Sequence, residues 1–376
     1  MSKETKASRF IELVDTTARS DITAPLPSAW TLPPAAYTDA ALFSEEIEKL
    51  FLRDWICVAR TEQVENSGDY LCVDLPNTPL ILSRDLDGSL HALSRICIHR
   101  AMPLAEGHGT ATRFVCPYHK WTYELDGQLR SAPMMQEVEG FSAEACKLPE
   151  LKLEVWNGFV FVNADPEAAP LAPQLSGLDA LIQNYDFEAL EIADSVHFPS
   201  SWNWKILVEN FMEAYHHIGT HAESLEPNYR ARQSHVPDNQ GEPWAFLDMP
   251  GEAEADPTIS SFPSLTDTER KRLFAAAIFP TFLFAGSNEM GIWYQLQPSA
   301  HDQMDLRIHI LLHPQLLAAL SPDDLANIRN QVIAVHEEDI GANLGTWRGL
   351  HSPLSKQGRL SAYEKAIWQI NQYWVQ

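Results

Sequence analysis

The chain has 376 residues, 45% of them apolar and 21% charged, proportions that exclude a mostly disordered or fibrous polymer and leave room for two ordinary domains. Lysine and arginine total 27 against 51 acids, a formal charge of −24. That balance argues against a nucleic-acid surface and against docking on anionic lipid, both of which need basic residues.

The amino terminus, MSKETKASRF, lacks the apolar core and small-residue cleavage site of a signal peptide. Residues 1–45 are polar and punctuated by Pro25, Pro27, Pro33 and Pro34, an N-terminal segment ahead of the first domain. A short helix is expected over 44–51, with Ser44 as its cap and Glu45 and Glu46 in its first turn. From about 55 to 165, short apolar runs alternate with the turn pairs Asp87-Gly88, Asp126-Gly127 and Asn157-Gly158, each able to supply the positive φ of a tight hairpin. Residues 46–165 therefore read as a small β domain. Pro166, Pro170 and Pro173 mark its end, and 166–376 reads as a second, mixed domain. There the pattern predicts helices over 203–217 and 267–277, the latter with Thr266 and Glu269 at capping-box spacing. Strands are expected near 280–286, 290–297 and 304–313. A long helix should start at Ser321-Pro322, and Ser361 with Glu364 should cap a last one.

No apolar run approaches the roughly 18 residues of a membrane helix, the densest stretch (278–286) being short and interrupted by Pro280. Five cysteines, an odd number spread over a long chain, do not form a disulfide framework, so a reducing cytoplasm is expected.

Two constellations carry chemistry. In the β domain, Cys97-Ile98-His99 is followed after sixteen residues by Cys116-Pro117-Tyr118-His119. On extended backbone Cys97 and His99 point the same way, toward one centre. Two thiolates and two imidazoles suit a structural zinc, or a two-iron, two-sulfide cluster with cysteines on one iron and histidines on the other.

The second lies in ENFMEAYHHIGTH, which contains Glu209, Glu213, His216, His217 and His221. On a helix, Glu209, Glu213 and His216 would share an arc of about 60°. Histidines converging with a carboxylate suit non-haem ferrous iron with open coordination positions. Spacing alone leaves open whether His216 or His217 partners His221. In the long helix Leu325, Ile328, Val332 and Val335 form an inward stripe that Asp339 and Ala342 continue, while Glu337 and Glu338 point outward. An aspartate on an apolar face must be paired or metal-bound, and a private contact with His336 is the competing explanation.

The segments CIHRA and CPYHKWTYELDG resemble the Rieske cluster motif, and Glu213-x-x-His216-x4-His221 with a distant Asp339 resembles the catalytic half of Rieske non-haem iron oxygenases. The closing Gly358-Arg359-Leu360-Ser361 is similar to that family too. Lys120 and Ala101 stand where glycine is usual in it. The resemblance implies an α+β architecture: a β-rich Rieske [2Fe-2S] domain, then a helix-grip (START-like) catalytic domain of antiparallel sheet and long helices, with the N-terminal segment packed on it. It implies that Cys97 and Cys116 hold one cluster iron and His99 and His119 the other. His216, His221 and Asp339 would hold a mononuclear Fe(II), and Glu213 would be the acid linking that iron to a neighbouring subunit's cluster.

It further implies an oxygenase component that uses O2 as co-substrate, in a homotrimer. Electrons would come from NAD(P)H through a separate reductase, sometimes through a ferredoxin, because the chain has no glycine-rich dinucleotide fingerprint of its own. An aromatic or other apolar small substrate is the first expectation, since the branch that acts on quaternary ammonium compounds commonly has cysteines flanking its Tyr-His pair, where this chain has Ala214 and His217. Arg230, Arg232, Arg307 or Arg348 would be available to an aromatic acid. Glu213, where ring-hydroxylating members usually have aspartate, looks instead like the branch that oxidises quaternary ammonium compounds such as betaine or carnitine. Trp293, Tyr294, Tyr215 and Trp347 could cage such a cation. A Rieske electron carrier without a second metal and a zinc-stabilised binding protein complete the alternatives.

Overall fold

A computed structural model describes residues 16–252, 262 and 264–375. The chain forms two compact units: Leu52–Ala169, and the residues up to Phe51 together with Pro170 onward.

The 52–169 unit is built on an antiparallel sheet of seven strands, β1 (Ile56–Arg60), β2 (Asp69–Leu75), β3 (Thr78–Arg84), β4 (Leu90–Ser94), β5 (His108–Thr110), β9 (Glu150–Trp156) and β10 (Phe159–Asn163), in the order β1-β10-β9-β4-β3-β2-β5. A small sheet of β6 (Phe114–Val115), β7 (Thr122–Tyr123) and β8 (Leu129–Ser131) accompanies it. The three turn pairs sit where the sequence predicts hairpins. Asn157 (φ 48°) and Gly158 (φ 78°) are both left-handed, which matches the right-handed twist of β9 and β10. Leu93, Leu104, Phe114, Trp121, Tyr123, Leu125 and Leu148 fill a core that also contains Cys97 and Cys116.

The other unit wraps helices around a six-stranded antiparallel sheet. Its strands are β11 (Glu191–Ser200), β12 (Trp244–Met249), β13 (Leu273–Ile278), β14 (Phe282–Gly286), β15 (Gly291–Ala300) and β16 (Gln303–Leu312), in the order β11-β16-β15-β14-β13-β12. The long helix Pro322–Leu350 starts on a reciprocal capping box between Ser321 and Asp324, with proline in its first turn. The last helix, Lys365–Trp374, follows the Ser361/Glu364 box.

Three elements depart from expectation. The helix near residue 44 begins earlier, at Ala40, because Asp39 caps it, and passes through a wider turn over Ile47–Phe51. The 267–277 segment is helical only over Asp267–Lys271, although its capping box forms. Beyond it LFAAAI is β13, paired on both sides by β12 and β14 and buried throughout save Leu273, so tertiary pairing overrides the helix preference of its three alanines. The 203–217 segment is likewise interrupted: a helix runs over Trp204–Phe211 and a separate 3-10 turn over Tyr215–Ile218.

The N-terminal residues are tied to the helices of the six-stranded sheet's unit by buried polar groups. Lys205 pairs with Glu46, and the indole nitrogens of Trp204 and Trp374 donate to the same carboxylate at 3.0 and 2.7 Å. Tyr37 donates to Glu209 at 2.7 Å. The closing GRLS segment completes the tie, since Gly358 N–H donates to Thr31 Oγ1 and the Arg359 guanidinium lies over Trp30 and donates to the Pro27 carbonyl.

Candidate functional site

The β unit presents Cys97/His99 and Cys116/His119 on two loops of the same construction. In the first, Cys97 N–H donates to the Met102 carbonyl and Ala101 N–H donates to that of Cys97, at 2.9 and 3.0 Å. In the second, Cys116 N–H donates to Trp121 and Lys120 N–H to Cys116, at 2.8 and 3.0 Å. Both fourth-from-cysteine residues are left-handed, Ala101 at φ 54° and Lys120 at φ 60°. That conformation favours glycine on steric grounds, so the two non-glycine residues carry a local conformational cost of order 1–2 kcal/mol each.

The loops bring the histidine rings to 4.6 Å, and His99 stacks flat on Trp121 at 4.7 Å. The cysteines are buried, the histidines half-buried. The Tyr123 hydroxyl lies 3.1 Å from Cys97 Sγ, placed to donate to a thiolate. Among the described residues His119 Nδ1 is buried with no hydrogen-bond partner. A buried, unsatisfied imidazole nitrogen on a ring 4.6 Å from a second histidine, on loops that also carry two buried cysteines, fits a cluster whose irons take the missing bonds.

The second centre lies in the helix-wrapped unit. His216, His221 and Asp339 each offer one ligand atom within 4.8 Å of the others. His221 Nε2 is 3.0 Å and His216 Nε2 3.5 Å from Asp339 Oδ1. Ligands about 2.1 Å from one ion lie about 3–3.5 Å apart, so these spacings fit a single metal. Both imidazoles are held from behind by carboxylates: His216 Nδ1 donates to Glu213 at 2.6 Å and His221 Nδ1 to Glu338 at 2.6 Å. With Nδ1 as the donor, each Nε2 lone pair is directed at the metal position. Asn210 orients Asp339 from the helix Trp204–Phe211, donating at 3.2 Å.

The interrupted helix explains how Glu213 reaches His216. Its carboxylate also accepts the His216 backbone N–H at 2.9 Å, so it caps the 3-10 turn while gripping the ring. A continuous helix would have presented both side chains outward on one face instead.

Burial raises the Asp339 pKa, but His221, with help from His216 and Asn210, holds it below the ordinary carboxylate value. Burial lowers that of His221, while Asp339 and Glu338 more than offset it and raise the ring. His221 and Asp339 thus each favour the other's charged form. His217 plays a different part. Its Nδ1 donates to the Tyr229 carbonyl at 3.0 Å, and burial drives the ring down to about 4, so it stays neutral. We expect His216→Ala to empty the mononuclear site and His217→Ala to leave its iron content unchanged; metal analysis of the two purified variants showing the reverse would move the ligand assignment by one residue.

The sequence stripe on the long helix is correct for Asp339 and wrong beside it. The inward positions are Val332, His336, Asp339 and Asn343, whereas Ala342 is exposed. His336 makes no private pair with Asp339: its ring lies against Phe198 and Tyr294, at 4.5 and 5.6 Å, and burial lowers it to about 4. Glu338, expected to point outward, is exposed yet turns its carboxylate back onto His221 and Ser224. It and Asn210 are the site residues that sequence reasoning missed, since nothing in a helical period shows which exposed acid meets a ring from another element.

A cavity of about 310 Å³ opens beside the trio. Its wall includes His216, His221, Asp339, Glu213 and His217, the rings of Phe211, Tyr229 and Tyr294, and apolar residues from β12, β13 and β15, among them Leu247, Leu273 and Ile292. Of the expected cage aromatics only Tyr294 takes part; Trp293, Trp347 and Tyr215 do not, nor do Arg230, Arg232, Arg307 and Arg348. Tyr215 is exposed, its ring parallel to that of Tyr363.

A β unit with a paired Cys-His cradle and a sheet-and-helix unit with two histidines and one carboxylate beside a cavity define a Rieske non-haem iron oxygenase. The family model for the ring hydroxylating alpha subunit (catalytic domain) matches residues 187–376, and that for the Rieske [2Fe-2S] domain matches 54–142. The chain belongs to this family of ring-hydroxylating alpha subunits, whose cofactors are a Rieske cluster and a mononuclear iron.

It is similar to the carnitine monooxygenase oxygenase subunit of Escherichia coli K12, 36% identical over 50% of this chain and 51% of that protein. It is also similar to the chloroplastic choline monooxygenase of Beta vulgaris, 33% identical over 52% and 45%. The match thus spans about half the length of each relative. A solved quaternary ammonium Rieske monooxygenase in complex with L-carnitine superposes with a TM-score of 0.80 at 25% identity, over 96% of this chain and 98% of that one. These relatives turn the substrate question away from aromatic compounds, the first expectation, and toward ammonium compounds.

Proposed function

We propose that the chain is the terminal oxygenase of a multicomponent system acting on a small quaternary ammonium compound. The observation that carries the substrate class is the cavity wall. Three aromatic rings and two carboxylates line it, and among the described residues it contains no lysine or arginine. A permanent cation is received by ring faces and by negative charge, and an apolar wall excludes the water that would compete. The named substrates of the similar proteins support the same reading.

In this reading Cys97, His99, Cys116 and His119 hold the cluster, and His216, His221 and Asp339 hold the iron. Bound there, the iron would offer O2 open coordination positions and the cluster would supply electrons singly. Glu213 and Glu338 fix the two imidazoles, while Phe211, Tyr229 and Tyr294 set the ammonium head beside the metal position. One oxygen atom enters a C–H bond next to nitrogen and the other leaves as water with two protons. Two electrons come from NAD(P)H through a separate reductase. Hydroxylation at that carbon gives a carbinol that breaks to an aldehyde and a tertiary amine. The chain would work in a reducing cytoplasm; among the described residues no helix is long and apolar enough to cross a membrane.

We further propose a homotrimer in which each cluster serves a neighbour's iron. Exposed apolar side chains on both motifs, Tyr118 and Val115 beside the cluster loops and Tyr215 and Ile218 on the turn bearing His216, are surfaces a neighbour would cover. The apolar wall favours a second reading, a neutral aromatic substrate.

One experiment decides between them. Anaerobic, chemically reduced protein is mixed with O2 and either methylated ammonium compounds or aromatic acids and hydrocarbons, and products are read by mass spectrometry. Formaldehyde or a C–N cleavage product from the first pool is expected. Oxygen incorporation only in the second would establish the aromatic reading.

A further inference from the structure

We infer that the cavity selects ammonium compounds that end in an apolar tail and rejects zwitterions that end in a carboxylate; this rests on the ammonium reading above. The argument is the charge around the cavity. Glu213 and Asp339 lie in its wall, Glu338 lies behind His221, and Glu289 is close enough to Tyr229 to add to the upward push that burial gives that phenol. Two positive charges on a bound metal are met by the three carboxylates of Asp339, Glu213 and Glu338, so the loaded site carries no excess positive charge to hold a substrate anion.

The neutral polar groups of the wall offer little more. The Asn210 amide is engaged with Asp339, and Ser287 Oγ accepts from the backbone N–H groups of Glu289 and Met290 at 3.2 and 3.4 Å. Gln331 sits exposed on the long helix, on the wall of the cavity. The phenols of Tyr229 and Tyr294 and the ring of His217 are the other polar groups, all neutral, and the rest of the surface is apolar, Leu225, Leu247, Met249, Leu273, Met290 and Ile292 among it, which suits methylenes. A carboxylate placed there would meet neutral donors and negative charge and no cation, so it would lose hydration without gaining an ion pair. The aromatic corner for the head is built: Phe211 and Tyr294 stand 4.8 Å apart at 56°. The preference sets this chain apart from the relatives named for carnitine, whose substrate ends in a carboxylate.

The test is equilibrium binding to the metal-loaded protein, measured by calorimetry without O2. The ligands are n-pentyltrimethylammonium, γ-butyrobetaine (the same head, ending in a carboxylate) and 2,2-dimethylheptane, the neutral carbon analogue of the first. We expect n-pentyltrimethylammonium to bind at least about tenfold tighter than γ-butyrobetaine, and Gln331→Lys to narrow that ratio by supplying the missing cation. Equal or tighter binding of γ-butyrobetaine overturns this inference and leaves the ammonium reading standing. An unchanged ratio in Gln331→Lys overturns its electrostatic basis. Binding of the hydrocarbon as tight as that of its ammonium counterpart, or no binding of either ammonium compound, overturns the ammonium reading as well.

Discussion

Asp339→Ala should bring product formation to background while the visible spectrum of the Rieske cluster is retained. Asp339 supplies the only carboxylate among the three atoms that converge on the metal position. Its loss leaves two imidazoles, which bind ferrous iron weakly without an anionic partner. The side chain is mostly buried and also accepts from Asn210, so the variant leaves that amide without its partner beside the cavity. The fold should survive this, because the helix Pro322–Leu350 is anchored by its capping box and Val332 as well. The measurement is iron and acid-labile sulfide per chain alongside the absorption spectrum. Mononuclear iron lost with sulfide unchanged is the expected result. Turnover at the normal rate would remove Asp339 from the ligand set, and loss of the cluster too would show that the substitution unfolds the protein.

The same residue shows how much a sequence can disclose. Asp339 was legible because a charge on an inward helical stripe contradicts the stripe, and the contradiction calls for a partner. The Cys97/His99 and Cys116/His119 pairs stood out for a similar reason: Cys-x-His and Cys-x-x-His have meaning at fixed spacing, and the structure sets them on two matching loops. The pairs Ser361/Glu364 and Thr266/Glu269 were legible because the reciprocal bonds involve residues three apart, and Ser321 was legible as a cap ahead of Pro322. What failed involved partners distant in sequence. LFAAAI reads as helix until β12 and β14 pair with it on either side. Glu338 reads as a solvated acid until the segment bearing His221 crosses the long helix. The cavity's chemistry was hidden for the same reason, since its rings come from three separate segments and its apolar surface from strands whose order, β15-β14-β13-β12, only the folded sheet establishes. Of the expected cage of Trp293, Tyr294, Tyr215 and Trp347 only Tyr294 lines the cavity; Trp293 is instead stacked on His309 at 4.6 Å.

Glu213→Gln should leave both iron centres occupied and slow turnover by about 10–100-fold, the range typical when a partner behind a metal ligand is altered. The glutamine amide oxygen can still accept from His216 Nδ1 and from its backbone N–H, so the ring stays directed at Asp339. What the substitution removes is the negative charge. With it goes the stabilisation of positive charge on the imidazole, and the ability of this position to take up or release a proton as electrons arrive. Rapid-mixing measurement of cluster reoxidation, with substrate and O2 present, separates this from a structural effect. If Glu213 couples the centres, reoxidation slows with iron content unchanged. If its role is only to aim His216, the glutamine still does so, and iron content and reoxidation both stay normal. Glu213→Asp sharpens the distinction: it keeps the charge but shortens the reach to Nδ1 by one methylene, so it should perturb iron retention more than Gln does and electron transfer less. Normal turnover in Glu213→Gln would show that the carboxylate, though 2.6 Å from the ring, contributes neither charge nor proton to the reaction.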